Sequence, residues 1–582
     1  MPSISRLVVV VCAASACTGD IFPGGFMPGS PFGPGSGGEG GGAGSGAGAG
    51  QEAPIVVGMT APQVRALSAT EYRATVRDLL GLAVQTPLSQ ADWAAGFDNG
   101  ANIHVDDNLL SALLDESERL GAEYVATRAR ADFACFDPGN VTDACMRELI
   151  AKLGRRAHRR PLTAEQRDEL FAFFEGVSSA VNDRRTGAQL VVARLVMAPQ
   201  FLYRSEVGRP TTPTGDLYAL DDFERASVVS YTLTGTMPDE ALLADAEAGR
   251  LDEAGLRRHI KRLWGSPNAR ARVGDFFRQW LKLTRVDHMA QRPTDYPKLT
   301  SPSLGASLKA ELDAFVAAVV FDGPGTLPAL FTESFTIADA NTAPLYGLTA
   351  TAPTRLQLDP TQRKGVLTLA SSMAAIGKAD DAARDRPVLR GLMVKEQLLC
   401  EEVGPPSNVN TAAAAATAQS LPNFDQLTTR EQYEAMMQQG AECRGCHRQF
   451  MPMGFTLGKY DALGRYRTVH NGRAVDSVVT DVPFGGGKPR SFGGGVELAE
   501  AVAASPRTAS CFSQNFVSFA TGAAHTEHTD SLSASLVQKA GSGPLDLARF
   551  VEEALVSPSL YLRKGVPYVA PMTGGAGGGS GG

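Results

Sequence analysis

Cys443-Arg444-Gly445-Cys446-His447 is the stretch of this chain best equipped for chemistry. In the pattern C-x-x-C-H, two thiols add across the two vinyl groups of a porphyrin, and the following imidazole ligates the iron. Three-residue spacing on one helical turn puts both sulfurs on one face. With eight Cys and eight His in 582 residues, the pattern is expected about 0.0015 times per chain by chance. The residues therefore point to one covalent haem c held by Cys443, Cys446 and His447.

Other chemistries of these residues need partners of their own. A zinc knuckle needs four soft ligands, but no second C-x-x-C exists, and His470, His525 and His528 lack the H-x3-5-H spacing. A thioredoxin-like pair needs a βαβ setting, whereas Thr429 to Gly440 reads as a helix ending at glycine. A plain disulfide between the two thiols is the remaining alternative. No methionine follows Met453 until Met572. Met451 and Met453 lie too close to His447 to reach the opposite haem face, and Met436 or Met437 could arrive from the preceding helix. His470 is the best downstream candidate for the distal iron ligand, and an open sixth position is the alternative.

The chain start predicts export. Arg6 precedes an apolar run, Leu7 to Ala16, that is too short to span a bilayer. Ala14-Ser15-Ala16-Cys17 resembles a lipoprotein box, which would make Cys17 a lipid anchor. Cys12 leaves with the signal and two cysteines go to haem. Cys135, Cys145, Cys400 and Cys511 suffice for two disulfides, so Cys17 is left over. The local pair Cys135 and Cys145 flanks the turn Asp137-Pro138-Gly139-Asn140, and a bridge between Cys400 and Cys511 is expected beside the haem segment. Gly24 to Gly50 is a Gly-rich tether with an end-to-end distance of about 30 Å. Net charge is −7 and dispersed, which argues against nucleic-acid binding. Arg155, Arg156, Arg159 and Arg160, the one basic cluster, read as a solvated or ion-paired helix end.

The elements that must position the motif read as mainly α. Capping boxes at Ser68/Glu71, Thr163/Gln166 and Asp221/Glu224 open helices. The first is expected to stop at Gly81 and the second near Phe174. Helical periodicity continues through Leu251 to Trp264, Asn268 to Leu283 and Leu304 to Val320. In the second of these, Phe276, Phe277, Trp280 and Leu281 form an apolar stripe. Asn471-Gly472 predicts a type I′ hairpin joining strands Arg465 to His470 and Arg473 to Val479. Helices Val496 to Ala504 and Thr508 to Phe519 finish the fold.

The expected organisation starts with a signal (1–16) and a lipid anchor with tether (17–60). An N-terminal helical domain (61–160), a helical segment (161–215) and a central helical domain (216–350) follow. A cytochrome c-like haem domain with its small β-hairpin (360–480) precedes a C-terminal helical domain (481–565) and a tail (566–582). Gly485-Gly486-Gly487 and Gly493-Gly494-Gly495 read as loops rather than phosphate cradles.

Several blocks resemble a known family. Leu67-Ser68-Ala69-Thr70-Glu71-Tyr72, Val76-Arg77-Asp78-Leu79-Leu80-Gly81 and Gly96-Phe97-Asp98-Asn99 come first. Arg159-Arg160-Pro161-Leu162-Thr163 and Pro199-Gln200-Phe201-Leu202-Tyr203-Arg204 follow, then Tyr346-Gly347, Arg363-Lys364-Gly365-Val366-Leu367 and Arg390-Gly391. Tyr460-Asp461 and Gly464-Arg465-Tyr466-Arg467 lie beyond the haem motif. Together these resemble the exported bacterial proteins built from tandem domains of unknown function numbered 1587, 1595, 1592, 1588 and 1585. The resemblance implies a cytochrome-like C-terminal region and export, and supplies no reaction. The chain departs from the pattern at Met451, where an acidic residue is usual, and near Ala435-Met436-Met437, where a histidine is usual.

These readings lead to a membrane-anchored envelope protein, periplasmic or at the cell surface. It would exchange electrons with a partner oxidoreductase. The alternatives are a haem-dependent oxidase or peroxidase acting on an extracellular substrate, and a binding scaffold with a structural haem. No Ser/His/Asp set, P-loop or H-E-x-x-H motif names a second chemistry.

Overall fold

The computed structural model describes residues 62–86, 96–99, 106–211, 217–296, 301–377, 385–403, 420, 423–438, 444–445, 447–523, 527–541 and 543–564. The expected signal, Cys17, the tether, the tail, Cys443, Cys446 and His525 lie outside them. Helices dominate throughout, and the strands form short antiparallel sheets, four of two strands and one of three, among the described residues.

Strand β1 (Gln63–Ala66) leads into α1 (Ala69–Leu80). Ser68 and Glu71 close a reciprocal capping box, and Gly81 ends the helix at φ 68°. Three long helices follow: α2 (Asp107–Thr127), α3 (Asp143–Ala157) and α4 (Ala164–Val181). The last runs past the expected stop near Phe174, because Phe174 and Val177 continue its buried stripe and Asn182 supplies the left-handed cap at φ 50°. Helix α5 (Arg184–Met197) packs against α2 and α4, and β2 (Tyr203–Glu206) returns to pair with β1.

The central part opens with β3 (Leu217–Ala219) and α6 (Asp222–Thr234), the latter capped by Asp221 and Glu224. Helices α7 (Glu253–Trp264), α8 (Pro267–Trp280) and α9 (Leu304–Phe321) follow. A strand pair, β4 (Phe335–Ala338) and β5 (Thr354–Gln357), precedes α10 (Ala370–Gly377). The motif region contains α11 (Pro387–Leu392), α12 (Thr429–Gln438) and α13 (Met451–Thr456). Two small antiparallel pairs come next, β6 (Val469–His470) with β7 (Arg473–Ala474) and β8 (Val479–Val482) with β9 (Arg490–Phe492). Helices α14 (Gly495–Ala504), α15 (Pro506–Thr521), α16 (Glu527–Ala540) and α17 (Leu547–Val556) lead to β10 (Leu562–Lys564), which pairs with β3.

The hairpin turn is of the expected kind, with φ 52° at Asn471 and 76° at Gly472. Its strands are shorter than the sequence suggests. Val479 to Val482 turn away to pair with Arg490 to Phe492, and Tyr466 bridges Tyr460 instead of extending the ladder.

Apolar packing divides the chain differently from the sequence reading. The expected N-terminal domain and the segment after it share one buried cluster, running from Leu67 to Phe201 and joined by Tyr231 and Met237. The central, haem-motif and C-terminal regions share a second cluster that runs from Leu220 to Tyr561 and takes in Phe97. Each of these pieces presents one apolar face, and none buries it without the others. Phe276 sits at the junction. Its ring lies 5.1–6.1 Å from those of Phe97, Phe277, Trp280, Phe512, Phe516 and Phe519, in edge and stacked geometries.

Candidate functional site

His447 lies on a short helical turn with Arg444 and Gly445, where the Arg448 N–H donates to the Arg444 carbonyl at 3.2 Å. The imidazole is half-buried and packs 5.3 Å from the Phe450 ring. Its Nδ1 is buried and has no hydrogen-bond partner among the described residues. Burial holds its pKa below the ordinary histidine value, so the ring favours its neutral form. A neutral imidazole is the form that binds a metal.

Close backbone approach holds this turn in place. A Cβ added at Gly391 on α11 would sit 2.1 Å from the Phe450 carbonyl oxygen, and one at Gly454 on α13 would sit 1.9 Å from that of Pro387. The two short helices therefore cross at glycines, immediately behind the motif. Arg390, fully buried on α11, donates to the carbonyls of Leu457 and Tyr460 at 2.7 and 2.9 Å and to that of Asp461 at 3.0 Å. These contacts tie α11 to the chain that follows α13. Arg363 does the same for the next turn, donating to Thr368 and Gly464 carbonyls at 2.6 Å each. Met451 and Met453 are wholly buried on α13. Met451, which departs from the family's acidic residue, is thus a core side chain.

Buried Asp385 and partly exposed Arg467 form an ion pair. Burial pushes the Asp385 carboxyl above its ordinary pKa even with Arg390 and Arg467 nearby. Sequence reasoning missed the roles of Arg363, Asp385 and Arg390. Their partners lie up to 101 positions away, and no local pattern signals a side chain bound to distant carbonyls.

His470 contacts the start of α12. Its Nδ1 accepts the backbone N–H of Thr429, at the start of α12, at 3.3 Å. That contact uses the Nδ1 lone pair and leaves the neutral ring's proton on Nε2, the nitrogen a metal would otherwise take. Asn471 reinforces the junction by donating to Asp425 and Leu427 carbonyls at 2.8 and 2.9 Å. Burial, and secondarily Arg467, lowers the His470 pKa. On α12, Tyr433 and Met437 pack against the large core.

The chain carries two disulfides among the described residues. Cys135 is bonded to Cys145 across the predicted turn, and Cys400 to Cys511. The second closes a separation of 111 residues that contains the whole Cys443–His447 stretch. Arg507 strengthens the same junction, donating to Leu399 and Cys400 carbonyls at 2.9 and 3.1 Å.

Families described only as proteins of unknown function match the chain in tandem. DUF1587 matches residues 65–126, DUF1595 residues 145–206, DUF1592 residues 220–348 and DUF1588 residues 363–470. The chain belongs to this tandem-domain family. Within it, the DUF1588 segment spans the Cys443–His447 stretch, both short helices and the Asn471 hairpin's first strand, and the short name of that domain, PSCyt3, is cytochrome-like. The DUF1592 segment ends before Gly365, whose neighbours Val366 and Leu367 enter the large core. Family boundaries and core boundaries thus differ. No curated protein and no solved structure matches the chain.

The donor set suits haem c. Cys443 and Cys446 would form the thioethers, and His447 would hold the iron through Nε2 with its orphaned Nδ1–H free to find an acceptor. Among the described residues no cluster of three or more His, Cys, Asp or Glu is placed to hold a metal ion. No described helix is long and apolar enough to cross a membrane.

Proposed function

We propose that this protein is an envelope-anchored carrier of one covalent haem c, and that it exchanges single electrons with a partner oxidoreductase. The reading rests on the Cys443-x-x-Cys446-His447 spacing and on the half-buried His447 imidazole, whose Nδ1 has no partner among the described residues and whose pKa burial lowers. When bound, the haem supplies a one-electron couple. The protein's own residues hold it: two thiols fix the porphyrin, His447 binds the iron, and the glycine crossing with Arg390 keeps the turn rigid. Cys17 would anchor the chain to a membrane through lipid, with the Gly-rich tether holding the folded part clear of the surface, periplasmic or at the cell exterior. Sitting inside the covalent loop closed by Cys400 and Cys511, the motif would keep its geometry through redox cycling.

The test is maturation. Co-expression with a cytochrome c maturation system should give a coloured protein whose haem survives acidic acetone. Replacing both Cys443 and Cys446 by Ser should abolish that attachment. Colourless wild-type protein would remove the proposal.

One observation favours a second reading, a haem enzyme. A polar cavity of about 150 Å³ is lined mostly by residues that follow the motif in sequence, among them Lys459, Tyr460, Tyr466, Ser477, Gly494 and Glu497. It has room for a small polar substrate. Ready binding of CO to the reduced protein would support this reading, and resistance would support electron transfer.

A further inference from the structure

We infer that the surface around the haem-bearing turn is a positively charged docking face for an acidic partner protein; this rests on the haem reading above. Residues 441–494 carry eight Lys and Arg against four Asp and Glu, although the whole chain is at −7. This stretch is therefore net basic within an acidic chain.

Pairing leaves these cations in excess. Arg473 is matched by Glu431 at 2.8 Å, and Arg430 by Glu434 and Asp476 at 2.9 Å each. Arg465 is matched by Asp461 at 2.7 Å, and Arg467 by Asp385. Arg444, Arg448, Lys459, Lys488 and Arg490 face no carboxylate among the described residues; Arg490 instead covers the Phe484 and Phe492 rings. Arg444 and Arg448 lie one helical turn apart, on one face, and both are exposed. They flank His447 on either side in sequence. Lys488 and Arg490 are exposed on the β8–β9 pair, and β8 packs against α13. Unpaired charge of one sign near a reacting group steers an oppositely charged partner and raises encounter rates about 10- to 1,000-fold at low salt.

The test uses full-length, haem-loaded protein and two small redox reagents of opposite charge. Anionic hexacyanoferrate(III) takes one electron from the reduced protein and becomes hexacyanoferrate(II). Cationic hexaammineruthenium(III) likewise becomes ruthenium(II). For the wild type, the first rate should fall as ionic strength rises and the second should rise. The double variant Arg444→Glu/Arg448→Glu should lose about tenfold in the first rate at low salt and gain in the second. The Arg444→Lys/Arg448→Lys variant should keep wild-type behaviour. Equal salt dependence in wild type and Glu variant would overturn the inference. Wild-type binding to phosphatidylglycerol vesicles that the Glu variant loses would also overturn it, assigning the face to lipid. Protein without covalent haem would remove the underlying reading, and this inference with it.

Discussion

Arg563, in the last strand, donates to Glu206 Oε2 at 2.6 Å, and both side chains are essentially inaccessible to solvent. The other carboxylate oxygen accepts from Arg65 at 2.9 Å. One buried carboxylate thus joins β1, β2 and β10, and with them the two apolar cores. Arg65 also donates to the Ala520 and Asn99 carbonyls at 2.9 Å each, passing so close to Gly522 that a Cβ there would sit 2.6 Å from its Nε. Neighbouring Arg272 binds Glu71 at 2.8 Å and Asp275 at 2.9 Å.

Replacing Glu206 by Gln leaves buried guanidinium groups without their counter-charge. The expected loss is about 3–5 kcal/mol of stability, read from urea unfolding at neutral pH. An unchanged midpoint would show that the cluster contributes little.

The same residue predicts an acid limit. Burial alone would raise the Glu206 pKa, but Arg65, Arg563 and Arg204 outweigh it and bring it to about 2. Its folded pKa lies below the unfolded value of about 4.3. The stability it contributes is therefore full above about pH 4.3 and is lost as pH falls toward 2. Thermal scans across this range should show a steeper acid decline in the wild type than in Glu206→Gln.

Gly454→Ala and Gly391→Ala should each cost about 1–3 kcal/mol through overpacking, because the added methyls meet the Pro387 and Phe450 carbonyls. Covalent haem yield should fall with them, since both contacts lie behind the motif. Full yield and stability in both variants would show that the crossing yields freely.

Cys511→Ser opens the loop of 111 residues around the motif. A loss of about 2–4 kcal/mol is expected under oxidising conditions. Under reducing conditions the difference from wild type should vanish, and a difference persisting there would point to packing rather than the covalent link.

His470→Ala should leave the haem spectrum unchanged, because the ring serves the start of α12. It should cost about 1 kcal/mol, comparable to losing a helix N-cap. Since the folded pKa of His470 is lowered, its contribution is present above the unfolded value of about 6.5 and declines as pH falls through the lower folded one. A shifted Soret band in the variant would return His470 to the iron.

Sequence alone determined what depends on neighbours within a few residues. The boxes at Ser68/Glu71, Thr163/Gln166 and Asp221/Glu224 close as read, and Asn471-Gly472 turns as read. Such hydrogen bonds and dihedral preferences are completed by residues three or four apart. Only the tertiary structure decided how the pieces divide, because apolar faces from Leu220 to Tyr561 find their partners across hundreds of residues. It also assigned Arg390 to distant carbonyls, Glu206 to three strands and His470 to a helix start. Those choices are settled where desolvated charges and unpaired backbone groups meet in space, and no local pattern records that meeting.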